Sequence, residues 1–394
     1  MPRLSNRLQN MSYSQTLAMT AKARELRAQG YDVISLSVGE PDFVPPGFIL
    51  DAAKKAIDEG YHYYTPVSGY LELREAVCKK FQRDNGLHYK PSQIVVSTGG
   101  KQSIINVLLA LLDPGDELII PAPYWVSYYE MVKLCEATPV VISPGIKTNF
   151  KITTEQLEKV ITPKTRGFLF SSPCNPSGSV YSRDELKALA EIFQKYPEVI
   201  IISDEIYEHI HYTGLHTSMA VFPEVYEQTV TLNGLSKAFA MTGWRIGYIG
   251  APEWLAKACD KVQGQITSGA NAIAQRAAII ALEASPERIG YMIEAFKKRR
   301  DLVLALLNDL PGFLSNVPQG AFYVFPNVSD LFGKSFSGSL IRNANDLTMF
   351  LLEKAHVATV SGAAFGDDQG LRISYAVSEE KLREAFQRIR EVLR

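Results

Sequence analysis

The stretch Asn233-Gly234-Leu235-Ser236-Lys237, followed by Met241-Thr242-Gly243-Trp244-Arg245-Ile246-Gly247, decides how this chain is read. Small residues lead into Lys237, glycines flank the turn, and Arg245 lies eight residues downstream. A lysine that forms a Schiff base with a phosphorylated aldehyde needs that combination. It needs room on the approach, a flexible amine, and a guanidinium for the phosphate. Most lysines are solvated surface residues. Here the flanks are apolar and glycine-rich, which argues against a plain surface loop.

Outward from this stretch, short β-rich runs alternate with helical segments. Strands are expected at 94–97, 117–120, 139–142, 167–171, 199–203, 229–232 and 246–249. Continuous apolar strands of this kind are buried on both faces, as in an α/β sheet covered by helices. Before them, helices are expected at 16–29, with Leu17, Ala21 and Ala28 on one face and Gly30 as the stop, and at 50–59 and 71–84. A nearly all-apolar helix at 102–112 ends at Asp113-Pro114-Gly115. A long amphipathic helix at 287–310 closes at Pro311-Gly312. Beyond it come expected strands at 321–325, 357–360 and 371–376, and helices at 345–353 and 379–393.

Chemistry-bearing residues recur just past the strands, where open α/β sheets bind ligands. Ser97-Thr98-Gly99-Gly100-Lys101-Gln102 follows a strand and opens a helix. Its glycines let the backbone approach an anion, and free helix N–H groups can hold one. An ordinary strand-to-helix turn would read the same way. Lys101 at a helix start opposes the dipole, so its position favours a functional reason. Asp204 and Tyr207 close the apolar run Val199–Ser203. A carboxylate there can face a cationic group of a ligand, or it can serve as a helix N-cap. Ser172-Pro173-Cys174-Asn175-Pro176-Ser177-Gly178 reads equally as a plain turn. Arg372 sits on an apolar strand, so its fork needs an anion, either a substrate carboxylate or a structural partner.

Ser236-Lys237-Ala238-Phe239-Ala240-Met241-Thr242-Gly243-Trp244-Arg245-Ile246-Gly247-Tyr248 resembles the cofactor-lysine signature of the class I/II aminotransferases. These are fold-type-I enzymes that use pyridoxal 5'-phosphate (PLP), and the likeness continues through nearly the whole chain. It implies an α/β fold with a large domain at 45–290, built on a mostly parallel central sheet. A small α+β domain would be made of 1–44 and 291–394. It implies Lys237, Asp204 and Tyr207 as catalytic residues. Asn175 and Tyr207 would hold the ring oxygen of PLP, and Trp125 in Pro123-Tyr124-Trp125 would stack on its ring. Gly99, Gly100, Lys101, Ser236 and Arg245 would surround the phosphate. Gly39, in Val38-Gly39-Glu40-Pro41-Asp42, and Arg372 would take the substrate's α-carboxylate. Tyr64 would reach the phosphate of a neighbouring subunit, which requires a homodimer with shared active sites.

Lys101 and its neighbours resemble the bacterial and plastid aspartate aminotransferases, in which this lysine pairs with the distal carboxylate of the substrate. Lys101, Trp125 and Asn175 are therefore expected on the substrate as well. The expected reaction is ping-pong transfer from L-aspartate to a 2-oxo acid such as 2-oxoglutarate. Members that aminate prephenate commonly carry Met-Lys-Pro-Ser near the N-terminus. This chain has Met11-Ser12-Tyr13-Ser14 there, with Thr16 nearby. Aromatic, alanine or prephenate transfer and carbon–sulfur lysis on the same scaffold are the alternatives. A regulator's sensing domain would need a basic DNA-binding module. A structural protein would not need Lys237, Asp204, Asn175 and Arg372 together.

Composition bounds the rest. The 394 residues are 46% hydrophobic and 21% charged, with a formal net charge of -1. That balance describes a globular chain of more than one domain and leaves no nucleic-acid or polybasic membrane footprint. Cys78, Cys135, Cys174 and Cys259 form no CxxC pair, so no metal or disulfide framework is expected. The N-terminal Met1–Arg7 has no apolar signal core, and a reduced, cytoplasmic setting is the expectation.

Overall fold

A computed structural model describes residues 3–13, 15–214 and 216–394. The N-terminal segment contributes a short strand, β1 (Ile34–Ser35). Seven strands follow: β2 (Ile94–Thr98), β3 (Glu117–Pro121), β4 (Thr138–Ile142), β5 (Thr165–Ser171), β6 (Ile200–Asp204), β7 (Thr229–Gly234) and β8 (Ile246–Gly250). They form one sheet in the order β2-β8-β7-β6-β5-β3-β4. β8 runs antiparallel to both of its neighbours, and the remaining pairings are parallel.

The uniformly apolar strands split their side chains between two cores with the period of two that a strand imposes. Leu118, Ile120, Leu169, Ile202 and Val230 join one core. The helices Gly100–Leu111 and Glu253–Ile266 cover this side with Ile104, Val107, Leu108, Leu255 and Cys259. Ile119, Phe168, Phe170 and Ile201 join the other core with Leu186, Leu189 and Phe193 of the helix Arg183–Phe193. Burying one such side chain is worth about 2 kcal/mol, so a polar residue inside these strands would be costly. That helix has a complete N-terminal cap. The Ser182 side chain accepts from Glu185 N, and the Glu185 side chain accepts from Ser182 N.

After the helix Gly290–Asn308 come β9 (Tyr323–Val324) and the hairpin of β10 (Ser335–Phe336) and β11 (Ser339–Leu340). The helix Ala344–Lys354 leads to β12 (Val357–Ala358), β13 (Val360–Ser361) and β14 (Leu371–Ser374), and the helix Glu379–Val392 ends the chain. β13, β14 and β9 make an antiparallel sheet. β1 pairs in parallel with β12, placing Ile34 opposite Val357, so the beginning of the chain is bonded to its end.

Several boundaries differ from the sequence expectation. The first long helix, Gln15–Ala28, turns Met19, Ala23 and Leu26 inward against Val33, Leu352 and Ala358. Leu17, expected on the buried face, is 68% exposed, and Ala21 and Ala28 also face solvent. Both triplets have helical spacing, and tertiary packing chose between them. The helix from Leu71 is α-helical only to Lys80, then widens to a π-turn over Phe81–Asn85 that Gly86 closes at φ 68°. The helix expected at 287–310 begins as a 3₁₀ turn at Pro286–Ile289. The strand expected at 321–325 pairs only at Tyr323–Val324, because Ala321 takes a left-handed φ of 56°. The run 357–360 splits between two sheets.

Candidate active site

The carboxyl ends of the parallel strands open on one cavity of about 330 Å³, within the range of roughly 300–1,000 Å³ usual for small-molecule sites. β3 leads to Trp125, β5 to Asn175, β6 to Asp204 and Tyr207, and β7 to Ser236 and Lys237, and all of these line the cavity. Arg245 lines it too, for a topological reason. β8 is reversed, so the residue before its first position lies at the same edge as the ends of the other strands.

Glycines bring three backbone segments together at that edge. A Cβ on Gly247 would lie 2.2 Å from Gly100 N and 2.5 Å from the Gly99 carbonyl carbon, so β8 can press against the helix start only without a side chain. Gly99, at φ 84°, is the N-cap of the helix Gly100–Leu111. A Cβ there would lie 2.3 Å from Arg245 Nη2, so the guanidinium occupies the space the glycine leaves. Arg245 itself takes a φ of 58° and donates to the carbonyls of Thr242 (2.9 Å) and Thr98 (3.4 Å). The first N–H groups of a helix lack intrahelical acceptors, and beside a guanidinium they form an anion cradle. Gly100, Lys101, Ser236 and Arg245 line the cavity around it, and Gly99 supports it from behind.

The Lys237 Nζ reaches across to the Gly39 carbonyl at 2.5 Å. Burial, with smaller contributions from Arg372 and Arg245 outweighing the opposing Glu40 and Asp204, lowers its pKa to about 8. Asp204 is 5% exposed. Burial pushes its carboxyl up to about 6, against the hydrogen bonds it accepts from the Tyr128 hydroxyl (2.5 Å) and Ile206 N (3.1 Å). Among the described residues no helix starts at Asp204, so it is not a helix N-cap; its Oδ1 accepts from Ile206 N within a turn, and the residue lines the cavity.

Arg372, 2% exposed on β14, donates from Nη1 to Asn175 Oδ1 (3.0 Å) and from Nη2 to the Ser37 carbonyl (2.6 Å). Its Nε is buried with no partner among the described residues. No carboxylate pairs with this guanidinium among the described residues, so its charge is left for an anion in the cavity. Lys101 opens on the same cavity and lies 4.9 Å from the centre of the Trp125 ring. Its surroundings and then the Arg245 charge lower its pKa. Gly39 and Glu40 line the mouth, and the segment they belong to is anchored by a bidentate pair between Asp42 and Arg299 (2.6 and 2.9 Å). Glu205 is structural: it accepts from Ser203 Oγ, Ser218 Oγ and His216 Nε2 inside the protein.

Tyr64 is not part of this cavity; it is 98% exposed. The sequence reading missed two tyrosines. Tyr128 is hydrogen-bonded to Asp204, and the Tyr323 hydroxyl meets that of Tyr207 at 2.9 Å. Nothing in their local sequence separates them from the other tyrosines of the chain. Of the segment 11–14, Ser14 lies outside the described residues, and Ser12 N donates to Glu130 Oε2 at 2.9 Å. Thr16 and Leu17 also line the cavity.

Residues 31–389 match the family profile described as aminotransferase class I and II. The chain is 50% identical over 389 residues to the aspartate/prephenate aminotransferase of Cereibacter sphaeroides, covering 98% of this chain and 97% of that protein. It superposes on the crystal structure of the aspartate aminotransferase from Rhizobium meliloti with a TM-score of 0.96 at 44% identity, covering 100% of this chain and 99% of that one. The aspartate aminotransferase of Thermus thermophilus with maleate gives a TM-score of 0.93 at 42% identity, with both chains fully covered (100% each).

Proposed function

Because the chain belongs to the class I and II aminotransferases, we propose that it moves the amino group of L-aspartate to a 2-oxo acid such as 2-oxoglutarate, with PLP held at Lys237. The observation that carries this reading is the shared cavity of Lys237, Asp204 and two separate cations, Arg372 and Lys101. A dicarboxylic amino acid presents two anions and an amine, and this lining answers each of them.

The residues present fit the cofactor. The glycine cradle at Gly99, Gly100 and Gly247, with Ser236, Lys101 and Arg245, suits a phosphate. The buried Asp204 suits a protonated ring nitrogen, whose charge would draw its pKa back down. Asn175 and Tyr207, which line the cavity, would hold the ring oxygen, and Trp125 would stack on the ring face. When bound, the cofactor supplies an electron sink for the bond broken at the substrate's α-carbon. Lys237, its amine already lowered to a pKa of about 8, takes the α-proton and returns it at the end of the transfer. Arg372 orients the α-carboxylate through guanidinium N–H groups not given to Asn175 and the Ser37 carbonyl, with Gly39 beside it. Lys101 takes the distal carboxylate. The first 2-oxo acid leaves before the second binds to the same residues, so the kinetics are ping-pong.

The test is a half-reaction. Protein purified with PLP is given L-aspartate alone, and the visible absorbance of the lysine-bound cofactor is followed, with L-alanine and L-tyrosine in parallel. Rapid loss with aspartate alone supports the reading. Loss with alanine or tyrosine but not aspartate removes the dicarboxylate assignment, and a protein without the band removes Lys237 from its role.

A second acceptor, prephenate, is favoured by the name of the Cereibacter sphaeroides relative. Ser12 stands where a lysine is common in prephenate users, and assay with prephenate as acceptor decides. The same reading places residues 45–290 in a large cofactor domain and 1–44 with 291–394 in a small one. It makes the protein a homodimer in which Tyr64 serves the neighbouring site. The cytoplasm suits its soluble substrates, and among the described residues no helix is long and apolar enough to cross a membrane.

A further inference from the structure

Tyr323 touches both halves of the site. It is fully buried on β9, and β9 pairs with β14, which carries Arg372. Its hydroxyl lies 2.9 Å from the Tyr207 hydroxyl, which belongs to the turn after β6 in the large sheet. Its ring centre lies 4.7 Å from the Arg372 guanidinium carbon. A Cβ on Gly39 would lie 2.6 Å from the Tyr323 hydroxyl oxygen, so the segment that accepts from Lys237 is packed against this same phenol. One side chain thus contacts the tyrosine facing the cofactor's ring oxygen, the arginine facing the substrate's carboxylate, and the segment facing the lysine.

We propose that Tyr323 is a positioning residue that couples the cofactor side of the site to its carboxylate side, its hydroxyl setting the strength of the Tyr207 hydrogen bond and its ring setting the plane of Arg372. The proposal rests on the aminotransferase reading above. With the Tyr207 hydroxyl donating to the ring oxygen of PLP, the oxygen of Tyr207 is left as an acceptor, and Tyr323 is placed to donate to it. A phenol that accepts one hydrogen bond donates a stronger one, by a cooperative gain of about 10–30%. A stronger donor withdraws charge from the ring oxygen and so weakens that oxygen's hold on the proton at the lysine-linked nitrogen. The charged and titratable groups facing this pair are Asp204, Arg372 and Lys237 around Tyr207, and Arg372 and Glu40 around Tyr323. None of them is removed by changing Tyr323. The ring has a separate effect. Arg372 is held by its bonds to Asn175 and the Ser37 carbonyl and by the rings of Tyr323 and Phe365 (4.7 and 4.9 Å), and an arginine over an aromatic face keeps its plane, so losing the Tyr323 ring loosens it.

The experiment is a spectrophotometric pH titration of PLP-loaded protein without substrate. Wild type is compared with Tyr323→Phe, Tyr207→Phe and the double variant, and Tyr323→Leu is examined in steady-state kinetics. Tyr323→Phe keeps the ring volume and the packing on Arg372. Its midpoint is expected to move to higher pH by about half a unit, and the same change made on Tyr207→Phe is expected to move nothing. KM for L-aspartate should stay near wild type in Tyr323→Phe and rise about tenfold or more in Tyr323→Leu. A wild-type midpoint in Tyr323→Phe overturns the hydroxyl's role, as does an equal shift with and without the Tyr207 hydroxyl. An unchanged KM in Tyr323→Leu overturns the role of the ring. If wild type itself has no pH-dependent band, the aminotransferase reading fails along with the proposal. If wild type titrates and the variants match it, only the proposal fails.

Discussion

The Tyr128 hydroxyl donates to Asp204 Oδ2 at 2.5 Å, inside the protein and away from solvent. That bond favours the ionised carboxylate, yet burial outweighs it and leaves Asp204 with a pKa of about 6. Without a cofactor the carboxylate therefore works against the fold at neutral pH. The protein keeps it charged only at a cost that a cationic ring nitrogen would offset.

The consequence for stability has a definite sign. A carboxyl whose folded pKa is raised from 3.8 to about 6 contributes stability that is fully present below pH 3.8 and lost as pH rises through 6. A shift of about two units is worth on the order of 3 kcal/mol. Asp204→Asn without PLP should therefore melt higher than wild type at pH 8, and the gain should vanish near pH 4. Tm measured by calorimetry across that range decides, and a gap independent of pH would sink the account. The same variant loaded with PLP should lose activity by on the order of 10²-fold or more.

The Lys237 amine must be neutral to join an aldehyde or take a proton, and its pKa is lowered to about 8. The rate at which PLP joins the cofactor-free protein should rise with pH and level off above pH 8. Stopped-flow absorbance measures it. A profile still rising toward pH 10 would mean that the amine is not depressed. Lys237→Ala should have no measurable turnover while keeping the cradle that binds the phosphate.

Lys101 separates substrates by their far end. Lys101→Ser removes the cation over Trp125 and leaves Arg372 untouched. KM for L-aspartate should rise about tenfold or more, and KM for L-alanine should stay the same. An equal rise for both amino acids would leave Lys101 serving the cofactor phosphate alone.

What the sequence revealed of this site follows from where side chains lie relative to strand ends. Asp204, Asn175, Lys237 and Trp125 are each within a few positions of the end of an apolar run, so an α/β sheet brings them together whatever the loops do. Arg245 joins them through the reversal of β8, which its own apolar run Ile246–Ile249 does not signal. Tyr323 and Tyr128 were not legible. Tyr323 sits on a two-residue strand whose limits depend on Ala321 adopting a left-handed φ, and Tyr128 lies in a helix whose neighbours are also aromatic. Their roles arise from contacts 116 and 76 residues away in sequence. The face of the helix Gln15–Ala28 was misread for a similar reason, since two helical stripes compete and only the position of Val33 and Leu352 selects one.

Tyr64 gives the sharpest test of the shared site. It lies outside its own chain's cavity and is 98% exposed, next to Tyr63, which is also exposed (78%). A phenol serving the phosphate of a partner's site would have this exposure in a single chain. Tyr64→Ala should weaken PLP retention, and Lys237→Ala should abolish turnover, so each variant alone is impaired. Unfolded together and refolded, half of the dimers should be mixed. In each mixed dimer one site has an intact lysine from one chain and an intact Tyr64 from the other. About a quarter of all sites should therefore regain wild-type cofactor affinity and turnover. Recovery to that level, absent when either variant is refolded alone, requires Tyr64 to act across the two-fold axis. A mixture no more active than the sum of its parts would confine Tyr64 to its own chain, where the cavity has no place for it.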